Sequence, residues 1–210
     1  MGGIVLAVLD RSLDGKILAS AKHEFLENGF VNANLRAICK NAGTTTGAVY
    51  NRYKGKGELF AELVRPAIEA LNKRINSASD IGKIKSLEIK KRKLLDISVE
   101  TEPTMNFIYD YYDEFRLLCC CSEGSPYSDF LHGFIETNTN NNWEWMNNLK
   151  EICDLNIEIK VNKEELHLIL TTYWTAVFQP ISHEFSRERA IFYCGILSNF
   201  LNLNSIIEIK

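Results

Sequence analysis

Between Asn34 and Gly57 the chain carries five basic residues, Arg36, Lys40, Arg52, Lys54 and Lys56, and no acidic one. Threaded among them are Thr44, Thr45, Thr46, Tyr50, Asn51 and Tyr53. Guanidinium, ammonium and hydroxyl groups are donors suited to phosphate oxygens, and an asparagine can pair with a base edge. The side chains from Thr44 to Ala48 are all short, which permits close approach to a surface, and Thr46 and Ala48 suit a thymine methyl. Tyr50 and Tyr53 can each pack a ring inward and reach outward with a hydroxyl. The chemistry implied is binding to a polyanion. No nucleophile–base pairing, glycine-rich phosphate loop or metal-ligand spacing is found that would support an enzyme.

Such groups need a compact scaffold that holds them on one side. Residues 34–60, NLRAICKNAGTTTGAVYNRYKGKGELF, have the pattern of a short helix, a glycine turn, a second short helix and the start of a third. Asn34 and Thr45 are good N-caps, and Gly43 supplies the left-handed residue that the turn requires. Upstream, Ile17, Ala21 and Phe25 recur at four-residue spacing, with Leu18 and Leu26 widening the stripe and Gly29 as a stop, so a helix is expected over about 12–28. Another helix starts near 55–57, carries Leu59, Leu63, Leu71 and Ile75 on one side, and should kink at Pro66.

Further helices are expected over about 84–100, then from Pro103 through Phe107, Tyr111, Phe115 and Leu118, and again from the Ser125–Pro126 pair. Asn162 and Glu165 have capping-box spacing, and Ser186 caps a last helix over about 187–202. The alternation from Leu155 to Val161 is the best strand candidate, but it is too isolated to build a sheet. The expected fold is all-α, with about nine helices. A head at 10–55 would be joined to a larger helical domain at 56–210.

The charge supports that division. The whole chain of 210 residues has a net charge of −3, yet residues 10–60 hold eight basic and five acidic residues, while residues 61–210 hold sixteen and twenty-two. A basic head on an acidic body fits a nucleic-acid-binding module joined to a domain with another task. The basic run Lys90–Lys93 reads as a solvated helix face. Of six cysteines, Cys119, Cys120 and Cys121 are consecutive, and the others sit in apolar helical patterns. Consecutive residues on a helix point about 100° apart, so these three thiols do not converge on one metal ion, and the four histidines lack ligand spacing. No metal or other cofactor is expected. The start, MGGIVLAVLD, has six consecutive apolar residues and no basic residue before Arg11, unlike a signal peptide. No apolar run is long enough to span a bilayer. A soluble cytoplasmic protein with reduced thiols is expected.

Ala42-Gly43, Gly47, Val49-Tyr50, Tyr53-Lys54, Lys56 and Glu58-Leu59-Phe60, with the Ile17, Ala21, Phe25 and Gly29 spacing before them, resemble the DNA-binding head of the TetR family of bacterial transcriptional regulators. The resemblance covers roughly residues 16–60. It implies an all-helical subunit with a three-helix head, and a body that binds a ligand and dimerises through its last two helices. By position, Arg36, Thr45, Thr46, Ala48, Tyr50, Asn51 and Lys56 correspond to the family's usual DNA contacts. The chain departs from the family pattern at Thr44, where an aliphatic residue is commoner, at Arg52, where an aromatic is commoner, and at Gly57, where an acid is commoner. Its N-terminal arm is uncharged up to Asp10, where many relatives are basic.

The resemblance also places an effector cavity among the body helices, which are rich in aromatic residues. Phe107, Tyr111, Phe115, Phe134, Trp143, Trp174 and Phe178 are the candidate lining, suited to a flat apolar or cationic molecule; at helical spacing such rings are more often core than pocket. Ala190, Cys194, Gly195 and Ser198 are small residues on the last helix that would let two copies approach closely. The function so implied is a dimeric, sequence-specific DNA-binding regulator, a repressor released by a small-molecule effector of unknown identity, on a near-palindromic double-stranded operator, with no membrane partner. The alternative is a DNA-binding structural or cell-division protein on the same scaffold, controlled by a protein partner.

Overall fold

The computed structural model describes residues 11–78, 101–152, 157–200 and 206–209. The helix expected over 84–100 and the run Lys90–Lys93 lie outside these residues. The first four helices are α1 (Arg11–Asn32), α2 (Leu35–Asn41), α3 (Thr46–Tyr50) and α4 (Lys56–Ala78). The expected stripe of α1 is its buried face: Ile17, Ala21 and Phe25 have no exposed surface. Gly29 breaks the helical backbone at φ 68°, ψ 167°, so only a single turn follows it. Both predicted caps of the short helices form. Asn34 accepts the Arg36 amide at 2.9 Å, and Thr45 Oγ1 accepts that of Ala48 at 3.2 Å. Gly43 turns the chain between α2 and α3 at φ +67°. Pro66 sits inside α4 without ending it.

The head closes on a small aromatic core. Phe60 meets Phe25 edge-on at 5.2 Å and Phe30 at 5.5 Å, above fully buried Ile38, Val49 and Leu59. Each such side chain contributes roughly 1.5–3 kcal/mol by leaving water, which is what holds helices as short as α2 and α3 in place.

The body contains α5 (Thr101–Asp110), α6 (Tyr112–Cys120), α7 (Phe130–Ile152), α8 (Lys163–Ser182) and α9 (Arg187–Phe200). Helix α5 packs chiefly on α9 and α7 on α8, while α6 lies against α8, α4 and α1. The expected caps of the last two helices are present: Asn162 and Glu165 form the capping box of α8, and Ser186 Oγ accepts the Arg189 amide at 3.2 Å.

Three expectations are corrected. The continuous helix expected from Pro103 to Leu118 breaks at Tyr111 (φ −118°, ψ 36°), whose N–H reaches back only three residues to the Ile108 carbonyl. The break lets α5 follow α9 while α6 crosses to α1 and α4. Ser125 and Pro126 open a run of tight turns, with Ser125 Oγ accepting the Tyr127 amide at 3.0 Å, and α7 begins only at Phe130. The isolated strand candidate does find a partner. Strand β1 (Ile157–Ile159) pairs antiparallel with β2 (Ile207–Ile209), Ile157 opposite Ile209 and Ile159 opposite Ile207. The partner lies some fifty residues away, beyond the reach of a local pattern. The fold is nevertheless all-α apart from this ribbon. Among the described residues no helix is long and apolar enough to cross a membrane.

Candidate nucleic-acid interface

The turn at Gly43 sets α3 across the end of α2 and leaves one side of the pair open. Arg36, Lys40, Thr45, Thr46, Tyr50 and Asn51 are exposed there, and Ala48 is half-exposed. Tyr50 is 57% exposed, whereas Val49 and Tyr53 are turned into the core. The two tyrosines therefore divide the work: Tyr53 packs, its hydroxyl pKa pushed up by burial and then by the nearby Asp14 carboxylate, and Tyr50 projects. Thr45 keeps its hydroxyl proton free to donate outward, because the cap uses only its lone pair.

Two of the five cations are not at this surface. Lys56, expected at a phosphate, donates instead to the carbonyls of Phe30 (2.8 Å), Val31 (3.0 Å) and Ala33 (3.0 Å), with its ammonium 5.0 Å over the Phe30 ring. The backbone beyond Gly29 leaves carbonyls without helical partners, and the three ammonium protons satisfy them. Arg52 is also drawn inward, with Nε 2.7 Å from Asp14 Oδ1 and Nη1 donating to the Ala48 carbonyl at 3.1 Å. Arg36, Lys40 and Lys54 remain as exposed positive charge.

The head is tied to the body through groups that carry no sequence motif. Lys22 on α1 bridges Asp113 (3.1 Å) and Glu114 (2.8 Å) on α6. Burial alone would lower its pKa, but the hydrogen bonds to the two carboxylates outweigh that and hold it above the ordinary lysine value. The Phe30 amide donates to the Cys121 carbonyl at 2.8 Å, and Phe60 lies 6.0 Å from the Tyr127 ring.

In the body, six of the seven expected lining residues form one chain of rings. Tyr111 meets Phe107 at 5.4 Å, Phe107 meets Phe115 at 5.9 Å, and Phe115 meets Phe178 at 5.5 Å. Phe134 then joins Phe178 at 6.1 Å and Trp174 at 4.8 Å. Trp143, farther along α7, is half-buried and makes none of these ring contacts. Trp174 Nε1 donates to buried Asn138 at 3.0 Å. Beside it, the buried hydroxyl of Tyr173 has no hydrogen-bond partner among the described residues.

Cys119 is pushed up to about 12 by burial, and burial raises Cys120 and Cys121 as well, the opposite of a reactive thiolate. Among the described residues no group of His, Cys, Asp and Glu could hold a metal ion. On the last helix, Ala190 and Cys194 are fully buried, so they let α9 approach its own subunit; among the described residues of α8 and α9 the exposed large apolar side chains are Leu168, Phe192 and Ile196.

A three-helix head with a capped, projecting third helix, seated on a helical body, is the class of helix-turn-helix DNA-binding proteins. Residues 17–63 match the family of bacterial regulatory proteins, tetR family. A solved putative TetR-family transcriptional regulator from Mesorhizobium loti MAFF303099 superposes with a TM-score of 0.52 at 14% identity, over 91% of this chain and 95% of that one, a likeness of fold alone. No curated protein matches the chain in sequence. Residues 17–63 thus carry the match to the tetR family of bacterial regulatory proteins, and that match supports DNA-binding transcriptional regulation.

Proposed function

We propose that this regulator is a homodimeric repressor that leaves a near-palindromic operator when a small molecule enters its body. Residues 10–55 are taken as the reading head and 56–210 as the ligand-binding and dimerising body. Arg36, Thr45, Thr46, Ala48, Tyr50 and Asn51 are the proposed DNA contacts, Arg36 and Asn51 addressing bases or phosphates and Tyr50 a phosphate. The observation behind the effector is the orphan hydroxyl of Tyr173 beside the ring chain. A buried donor without an acceptor is costly, and an acceptor on a flat ligand entering beside Trp174 and reaching that hydroxyl, which lies near Cys194, would relieve it. The exposure of Leu168 on α8 and of Phe192 and Ile196 on α9 supports dimerisation through these helices.

Two such heads would read half-sites about 34–36 Å apart. Selection of duplexes from a random pool should therefore enrich an inverted repeat, and a panel of planar compounds followed by tryptophan fluorescence should yield one that releases the enriched duplex. Enrichment of a non-repeated sequence would rule out the two-fold arrangement. The close ring-on-ring contacts favour a second reading, a DNA-binding structural or cell-division protein with a filled body controlled by a protein partner. It would gain if no compound in the panel changed either signal.

A further inference from the structure

Helix α3 has five residues, and only Val49 among them is buried. One anchor fixes where a short helix sits but leaves it free to turn about its own axis. A turn of that kind would swing Thr46, Tyr50 and Asn51 away from whatever they read. A second tether is present at the far end of the helix. Arg52 follows the C-cap Asn51, and its side chain folds back so that Nη1 donates to the Ala48 carbonyl at 3.1 Å. Its Nε faces Asp14 Oδ1 at 2.7 Å, in the first turn of α1. Both atoms are fully enclosed and have no aligned hydrogen bond among the described residues, so their attraction is Coulombic. The Arg52 side chain is only 14% exposed, little for an arginine next to the exposed face of α3.

We propose that Asp14 and Arg52 form a brace that sets the rotation of α3 on the head, making Arg52 a positioning residue for base discrimination and not a phosphate contact. This rests on the DNA-binding reading of the head. The brace joins the start of α1 to the Ala48 carbonyl of α3 itself. Removing Asp14 leaves the Arg52 guanidinium enclosed without compensation, and removing Arg52 leaves the inner Asp14 oxygen without its partner although that side chain is 33% exposed; an apolar pair of similar size can fill the same space. A phosphate contact behaves differently. Its loss weakens all duplexes alike and lowers the salt slope of binding by about one, and removing a neighbouring carboxylate strengthens binding.

The test uses the full chain, a duplex enriched by the wild type from a random pool, and a scrambled duplex of equal length. Asp14→Leu, Arg52→Met and the double variant are compared. Each single change should weaken the enriched duplex roughly tenfold or more, leave the scrambled duplex and the salt slope unchanged, and lower the melting temperature. The double variant should lose less than the two singles combined, in binding and in melting alike. The brace is overturned if Arg52→Met weakens both duplexes equally with a smaller salt slope while Asp14→Leu tightens them. It is also overturned if the two changes are additive in thermal melts. Should the wild type enrich no duplex, the DNA-binding reading fails, and the melts still decide whether the two residues are coupled.

Discussion

Tyr50 is a large ring left 57% exposed on a helix whose neighbour Val49 is fully buried. An exposed ring adds nothing to the head's core, so its removal should cost binding and not folding. Tyr50→Ala is expected to weaken an enriched duplex by about 1–3 kcal/mol and to shift stability by less than about 0.5 kcal/mol, as read by fluorescence anisotropy and thermal melting. Lys56 should behave in the opposite way. Its ammonium closes the end of α1, so Lys56→Met should lower stability by about 1.5–3 kcal/mol and leave the salt slope of binding unchanged; a slope reduced by about one would return Lys56 to a phosphate. The sequence marks both residues equally as family contact positions. Which of them faces outward depends on where α1 ends, and the residue types along 50–56 do not contain that.

At the scale of elements, the joint between head and body is a set of close backbone approaches. The Phe30 amide is held by the Cys121 carbonyl, and the turn after α6 passes under Val31. Gly124 takes φ +74° there, and a Cβ at that position would stand 2.8 Å from Val31 Cγ2. Gly124→Ala therefore combines backbone strain with a clash and is expected to cost about 1–3 kcal/mol in urea unfolding. A silent substitution would mean that the joint is looser than its geometry. Lys22, bound to both Asp113 and Glu114, ties α1 to α6, a contact through which the proposed effector would reach the head. None of this was legible beforehand, because the continuous aromatic spacing of Phe107, Tyr111 and Phe115 concealed the break that redirects α6.

For the whole molecule, several buried groups hold their protons more tightly in the fold than in the unfolded chain. Burial raises Cys119 from 9.0 to about 12, Cys194 from 9.0 to about 11 and Tyr109 from 10.0 to about 12; the Tyr109 hydroxyl also donates to the Phe185 carbonyl at 2.8 Å. Lys22 is raised by its carboxylates. A raised folded pKa contributes stability that is complete below the unfolded value and is lost as pH rises through the folded one. The melting temperature should therefore stay level from neutrality to about pH 9 and fall steadily between about pH 9 and pH 12. A melting curve level to pH 12, followed by circular dichroism, would show that these groups titrate alike in both states. Lys22 links α1 with α6, Tyr109 reaches from α5 to Phe185 between α8 and α9, and Cys119 and Cys194 sit on α6 and α9, so the loss would be felt across the body and not in one helix.

The sequence by itself determined the elements that rest on local chemistry: the capped short helices, the Gly43 turn, the capping box of α8 and the stripe of α1. Each depends on residues within one or two turns of each other, so spacing alone reports it. Tertiary structure decided everything that depends on partners far along the chain. It turned Lys56 and Arg52 inward, broke the helix at Tyr111, gave β1 its strand partner and set Ala190 and Cys194 inside while Phe192 and Ile196 stayed out. The physical reason is common to all of these. A side chain's type limits what it can bond to, but its actual partner is set by which orphaned carbonyl, opposing charge or apolar face the fold brings within a few ångströms of it.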